Sequence, residues 1–217
     1  MSITDNIFKF KKKISSKVKL IAVSKTKSII EIKEAYNSNH RFFGENKVQE
    51  MTEKWKALPK DIEWHMIGHL QKNKVKYIAP YVSLIHSVDS IRLLNEINKQ
   101  AKKNNRIINC LIQVNISEEQ SKFGIQKNNL PDFFNQIIDN SYENIEVIGL
   151  MGMASFTENE KKIFNEFTSL KELFMSLKGK FPIFRELSIG MSSDYKIALK
   201  QGSTMIRIGS KIFGYRN

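Results

Sequence analysis

Several stretches of this chain place reactive or anion-binding residue types where an α/β protein can use them. The first is Lys19-Leu-Ile-Ala-Val-Ser-Lys25-Thr26-Lys27, an apolar run that ends abruptly in hydroxyls and amines. Strand alternation puts Ile21, Val23 and Lys25 on one face, and Leu20, Ala22 and Ser24 on the other. An amine above two β-branched neighbours is partly desolvated, which lowers a lysine pKa and frees the amine to attack a carbonyl. Taken alone, such a run more often means a strand that ends in a solvated lysine. Gly190-Met-Ser-Ser-Asp194 leads straight into a helical pattern, and Gly209-Ser210 closes another apolar run. Both offer amides and hydroxyls to an anion at the start of a helix. Separately each has a plainer meaning, an N-cap at Ser192 or Ser193 and a turn at Gly209. On consecutive units they point to a phosphate. Arg207 lies within Met205-Ile-Arg-Ile-Gly209, on the face opposite Ile206 and Ile208. A buried guanidinium needs an acceptor. That acceptor is either a ligand's ring nitrogen or carboxylate, or a structural carboxylate such as Glu45 or Asp89.

These residues need elements to position them. Strand-like runs occur at Lys19–Ser24, Arg41–Gly44, Ile62–Ile67, Ser83–Ser87, Ile107–Val114, Glu146–Met151, Phe184–Ile189 and Met205–Ile208. Helical spacing fills the gaps. Ile91, Leu94, Ile97 and Ala101 form one stripe, with Asp89-Ser90 as its cap. Phe133, Phe134, Ile137 and Ile138 form another after Asn129-Leu-Pro131. The clearest helix carries Ile163, Phe164, Phe167, Leu170, Leu173, Phe174 and Leu177 and is expected to end at Gly179. Eight βα-like units after an N-terminal helix predict a parallel (β/α)8 TIM barrel, with an open doubly wound sheet as the runner-up. No GxGxxG or GxxxxGK[ST] follows a strand. In a barrel the carboxyl ends of all strands converge. Lys25, Asn46, His65, His69, Asp89, Asn115, Ser192, Arg207, Gly209 and Ser210 would then meet around one mouth.

Bulk properties set limits. The chain has 217 residues and no composition shift that marks a linker, so residues 1–217 read as a single domain. With 41% hydrophobic and 26% charged residues it reads as globular. No apolar run is long enough for a bilayer, and the N-terminus lacks a secretory pattern, so a cytoplasmic address is expected. Cys110 is the sole cysteine and sits in an apolar run, as a core residue would. Net charge is +13, from 35 Lys+Arg against 22 Asp+Glu. The lysines are spread along helical stretches without a zinc, zipper or RNP-like motif, so specific nucleic-acid binding is not expected. The charge favours anionic ligands.

An amine, an anion cradle and an arginine together fit a phosphorylated aldehyde. Pyridoxal phosphate would place its aldehyde on Lys25, its phosphate on Ser192 and Gly209-Ser210, and its ring nitrogen near Arg207. Longer motifs run through the chain: Ala22-Val-Ser-Lys-Thr-Lys27, Phe43-Gly-Glu-Asn46, Trp64-His-Met-Ile-Gly-His-Leu-Gln71, Ile85-His-Ser-Val-Asp89, Gln113-Val-Asn-Ile116 with Ser121-Lys122, Leu187-Ser-Ile-Gly-Met-Ser192 and Gly202-Ser-Thr-Met-Ile-Arg-Ile-Gly209. From about residue 18 to 216 the chain resembles the pyridoxal phosphate homeostasis proteins, the YggS/PROSC-like group. The resemblance implies a barrel like the N-terminal domain of alanine racemase, with a Schiff base to pyridoxal phosphate on Lys25. It also implies phosphate contacts from Ser192, Gly209 and Ser210, a ring-nitrogen contact from Arg207, and Asn46 and His65 lining the site. Ser28 and Ser210 stand where the family often has proline and threonine.

Such proteins carry or buffer the cofactor, affect amino-acid and keto-acid balance, and have no established reaction. A monomer that hands cofactor to apo-enzymes is the expected form. The alternative is an amino-acid racemase-like enzyme. Racemases of this fold add a β-domain with a second catalytic base, and no such domain is expected after the eighth unit. His65, His69 and Tyr215 would be the remaining acids or bases.

Overall fold

Each apolar run becomes a strand, and a helix follows it, in the computed structural model, which describes residues 2–117 and 123–214. The strands are β1 (Lys19–Val23), β2 (Phe42–Glu45), β3 (Glu63–Met66), β4 (Leu84–Val88), β5 (Ile108–Val114), β6 (Ile145–Gly152), β7 (Glu186–Ser188) and β8 (Met205–Ile208). After an N-terminal α1 (Ile3–Lys13), the helices are α2 (Ile29–Asn37), α3 (Val48–Ala57), α4 (Val75–Ile78), α5 (Ile91–Lys103), α6 (Leu130–Asn140), α7 (Glu160–Lys180), α8 (Tyr195–Lys200) and α9 (Ser210–Phe213). The strands pair in parallel in chain order, and β8 closes on β1 with Ile21 opposite Arg207. The expected barrel is therefore the observed fold, and the open sheet is excluded.

Alternation sorts the side chains into two layers. Leu20, Ala22, Phe43, Trp64, Met66, Ile206 and Ile208 face the helices and join the main core. Leu84, Leu111, Ile148, Met151 and Met205 form a smaller cluster. Among the buried polar residues are His65, His86, Ser188 and Arg207, from β3, β4, β7 and β8. Branched aliphatics usually fill such an interior. Four polar groups there need hydrogen-bond partners, and they prove to have them.

Local signals explain the ends. Ser2 and Asp5 form a capping box on α1, and Ile7 and Phe10 bury its inner face. Asn6 donates to the Ile212 carbonyl at 3.0 Å, which ties α1 to α9. Ser90 caps α5 as expected, accepting from the Leu93 amide. β7 is shorter than its sequence run, and Phe184, ahead of it, packs in an aromatic cluster with Phe134, Phe174 and Phe181. Gly179 does not stop α7, which runs to Lys180. Cys110 is buried, and burial pushes its thiol well above the ordinary cysteine range, as suits a core residue. No helix among the described residues is long and apolar enough to cross a membrane.

Candidate functional site

The carboxyl ends of the strands open into a cavity of about 830 Å³. Lys25, Asn46, Ser192, Arg207, Gly209 and Ser210 all line it. His65 does not. It is buried on β3 with its Nδ1 2.9 Å from His86 Nε2, and Ile67, two residues on, reaches the cavity instead.

Lys25 lies two residues beyond β1 and is half-buried. The residues on either side of it are tied to one buried ion cluster. Ser24 faces the helices and donates its hydroxyl to Glu45 Oε1 at 2.6 Å. From α3, Lys54 Nζ donates to the Ser24 carbonyl at 2.7 Å, to Glu45 Oε1 at 2.8 Å and to Glu50 Oε1 at 2.7 Å. Glu50 Oε1 also accepts the Thr26 amide at 2.5 Å. Thr26 has φ of 66°, a left-handed conformation that a β-branched residue adopts only when its surroundings impose it. Glu45 Oε2 is buried without a hydrogen-bond partner among the described residues. Burial therefore outweighs the pairing with Lys54 and raises the Glu45 carboxyl pKa. Gly68 serves the same wall. A Cβ there would lie 2.5 Å from the Asn46 carbonyl oxygen, so only glycine lets the β3 loop lie against Asn46.

The opposite wall is built by β7, β8 and the short helices after them. Ser192 Oγ accepts the Gly209 amide at 3.2 Å, which brings the two predicted anion loops into contact. The N-cap alternative for Ser192 and Ser193 fails, because α8 has no side-chain cap. Gly190 has φ of +98°, and a Cβ there would meet the Ala198 Cβ at 2.6 Å, so the turn into this loop requires glycine. Arg207 is buried. Its Nη1 donates to the Ser188 carbonyl at 2.8 Å and to Ser188 Oγ at 2.5 Å, and its Nη2 donates to the Gly152 carbonyl at 3.0 Å. The structural carboxylates expected as its alternative partners are engaged elsewhere, Glu45 with Lys54 and Asp89 with His69 at 3.2 Å. Burial lowers the Arg207 pKa to about 10, with Asp194 opposing the shift, so the group stays cationic at neutral pH.

The electrostatics of the cavity are one-sided. Lys25, Lys27, Lys211 and Arg207 line it, and among the described residues no carboxylate, imidazole or phenol does. The Lys27 amine is held by Glu31 at 3.1 Å and by the Phe213 carbonyl at 3.0 Å. Such a lining suits an anionic ligand.

Comparison with known proteins gives the family. The alanine racemase N-terminal domain family matches residues 1–217. The pyridoxal phosphate homeostasis protein of Aquifex aeolicus is 41% identical over 200 residues, covering 91% of this chain and 87% of its own length. The chain belongs to the pyridoxal phosphate homeostasis family. The Escherichia coli protein of the same name is 36% identical over 207 residues, covering 92% of this chain and 86% of its own. Among solved structures, PipY of Synechococcus elongatus with pyridoxal phosphate bound is 32% identical with a TM-score of 0.89. It covers 98% of this chain and 100% of its own. Alanine racemase of Clostridium difficile is 14% identical with a TM-score of 0.79. The match covers 99% of this chain and 60% of that one, and the likeness is one of fold alone.

Within the family framework, the motif Ile85-His-Ser-Val-Asp89 puts His86 inside the barrel rather than at the mouth. Sequence reasoning missed His86 and Ser188 as interior polar groups, and Lys54 and Glu50 as supports of Lys25. It also missed Phe156, which lines the cavity while 94% exposed. His69 stacks on Phe123 with ring centroids 4.2 Å apart and does not line the cavity. Ser121, Lys122 and Tyr215 lie outside the described residues.

Proposed function

We propose that this chain, acting as a single barrel domain, holds pyridoxal 5'-phosphate covalently and serves as its carrier and buffer. The observation that carries this reading is the cavity itself. A lysine lies on one wall, paired Ser192 and Gly209 on the other, four cations surround the space, and no described carboxylate opposes an anion. Arg207 adds a second test of fit. Its bonds use Nη1 and Nη2, and its Nε–H makes none among the described residues, so a donor remains for a ring nitrogen.

When bound, the cofactor supplies an aldehyde that condenses with an amine and releases water, and a pyridine ring that can draw electrons from its substituent. Lys25 is the amine, presented by a strand end that the Lys54 cluster holds still. Ser192, Gly209 and Ser210 grip the phosphate, with Asn46 at the cavity wall. His65 acts from beneath the site rather than by contact. Arg207 stays cationic and donates to the ring nitrogen. A guanidinium does not give up that proton readily, so the ring stays unprotonated and is a weak electron sink. No carboxylate, imidazole or phenol among the described lining residues stands as a second acid or base, which favours holding over racemisation. The expected recipients are apo forms of enzymes that use the same cofactor, in the cytoplasm.

Titrating the purified protein with pyridoxal phosphate tests the reading. A visible absorbance band should appear with wild type and be absent with Lys25→Ala. Arg207→Ala and Ser192→Ala should each loosen retention, and unchanged retention in both would reject the pose. Turnover of any amino acid that is lost with Lys25→Ala would overturn the carrier role.

A further inference from the structure

We propose that Ser188 and His86 are positioning residues that set the orientation of Arg207 through a hydrogen-bonded chain of fixed polarity, Arg207–Ser188–His86–His65, across the barrel interior. The functional part of this inference rests on the reading that Arg207 faces the pyridoxal ring; the chain itself does not. Each link comes from a different strand, β8, β7, β4 and β3, and all four residues are at most 4% exposed. Arg207 Nη1 lies 2.5 Å from Ser188 Oγ, Ser188 Oγ 3.0 Å from His86 Nδ1, and His86 Nε2 2.9 Å from His65 Nδ1.

The direction of every proton follows from the first residue. A guanidinium only donates, so Ser188 Oγ accepts from Arg207 and has its own O–H left to give. The acceptor within reach is His86 Nδ1. That nitrogen is then unprotonated, so the His86 proton sits on Nε2 and points at His65 Nδ1. His65 in turn carries its proton on Nε2. The reverse polarity would leave the Ser188 hydroxyl hydrogen buried without an acceptor, which burial penalises. Both rings are held neutral, His86 by burial and by the neighbouring His65 and Arg207, and His65 by burial and by Lys19 and His40.

The consequence falls on Arg207. Its other two acceptors are main-chain carbonyls, which belong to the barrel wall. Among the described residues Ser188 Oγ is its one side-chain acceptor, and the hydroxyl rotor that exposes its lone pair to Arg207 is fixed by His86. Loss of either residue frees the plane of the guanidinium without removing its charge.

Two measurements test this together. Nitrogen-15 NMR of histidine-labelled protein without cofactor should show His65 and His86 neutral and protonated on Nε2, with Ser188→Ala abolishing the single tautomer of His86. A proton on His86 Nδ1 would overturn the chain. Pyridoxal phosphate retention should fall about fivefold to tenfold in Ser188→Ala and in His86→Leu, the scale of one buried hydrogen bond, with a displaced absorbance band. His86→Asn, whose Oδ1 can take the Ser188 hydroxyl, should recover most of the loss, which a purely space-filling role would not require. Wild-type retention and an unmoved band in Ser188→Ala would overturn the positioning role, and this variant decides the matter if His86→Leu does not fold. If wild type retains no cofactor, the carrier reading fails instead; if Arg207→Ala retains it fully, the placing of Arg207 against the ring fails; in both cases the NMR still judges the chain.

Discussion

Lys25 and Arg207 extend from neighbouring strands, with Ile21 paired opposite Arg207, yet they are secured by opposite means. Beneath Lys25, outside the barrel wall, Lys54, Glu45 and Glu50 form a charged cluster that grips the backbone on both sides of the amine. Beneath Arg207, inside the wall, Ser188, His86 and His65 form an uncharged chain that grips a side chain. Location explains the difference. Between sheet and helix, α3 can deliver a long lysine to meet a buried carboxylate. In the barrel interior a second full charge would be desolvated from every side. Neutral rings satisfy the guanidinium's neighbour there at far less cost. A reacting amine needs its strand end fixed but its own side chain mobile, whereas a ring-nitrogen donor needs its plane fixed.

The largest expected effect comes from breaking the charged side. Lys54→Met leaves Glu45 buried without a counter-charge and should cost about 3–5 kcal/mol in denaturant unfolding. Adding Glu45→Gln to the same chain should restore a large part of that loss, as a double-mutant cycle would show. A cost under about 1 kcal/mol for Lys54→Met would erase the contrast between the two regions.

Acid attacks the neutral side. Burial lowers the pKa of His40 to about 4 and of His65 to about 3, and holds His86 well below the ordinary histidine value of 6.5. The unfolded chain therefore binds protons that the folded chain refuses. Stability should fall as pH drops below 6.5, by up to about 1.4 kcal/mol per pH unit for each such histidine, until the folded values are reached. Glu45 works in the other sense. Its raised pKa means that the folded state takes up its proton before the unfolded state does, which offsets part of the loss as pH falls from above its ordinary value of 4.5. Denaturation midpoints between pH 7 and 4.5 that do not decline would remove the neutral histidines from the account.

Glu50→Gln is a smaller perturbation, because the amide oxygen can still accept from Thr26. A loss of about 1–1.5 kcal/mol is expected, with slower formation of the visible absorbance band as the Thr26 turn relaxes. Salt should act least on the fold. Raising it from about 0.1 to about 0.5 M should change stability by less than about 0.5 kcal/mol, because the cluster under Lys25 is buried. Retention of the anionic cofactor should fall over the same range, since solvent reaches the mouth.

Much of the site was legible because strand ends stand out. Lys25 breaks an apolar run, and the Gly-Ser loops follow two others, so their place in a barrel mouth followed from topology. His65 was expected at the same rim, but β3 ends at Met66, and the period of two puts Ile67 at the mouth with His65 below. His86 was hidden because a five-residue strand with a register shift between Ile85 and Val88 does not announce which face is inward. Lys54 and Glu50, four apart on a helix, look like a solvated ion pair until α3 is packed against β2. Arg207 was read as needing a carboxylate or a ligand, whereas the barrel wall offered main-chain carbonyls, which no residue type reveals.

The central claim is that Lys25, and not its neighbour Lys27, bonds to the cofactor. Borohydride reduction of the pyridoxal phosphate-loaded protein, followed by peptide mass mapping, tests it most directly. The account predicts one reduced adduct, on Lys25. An adduct on Lys27 or Lys211, or none, would contradict it.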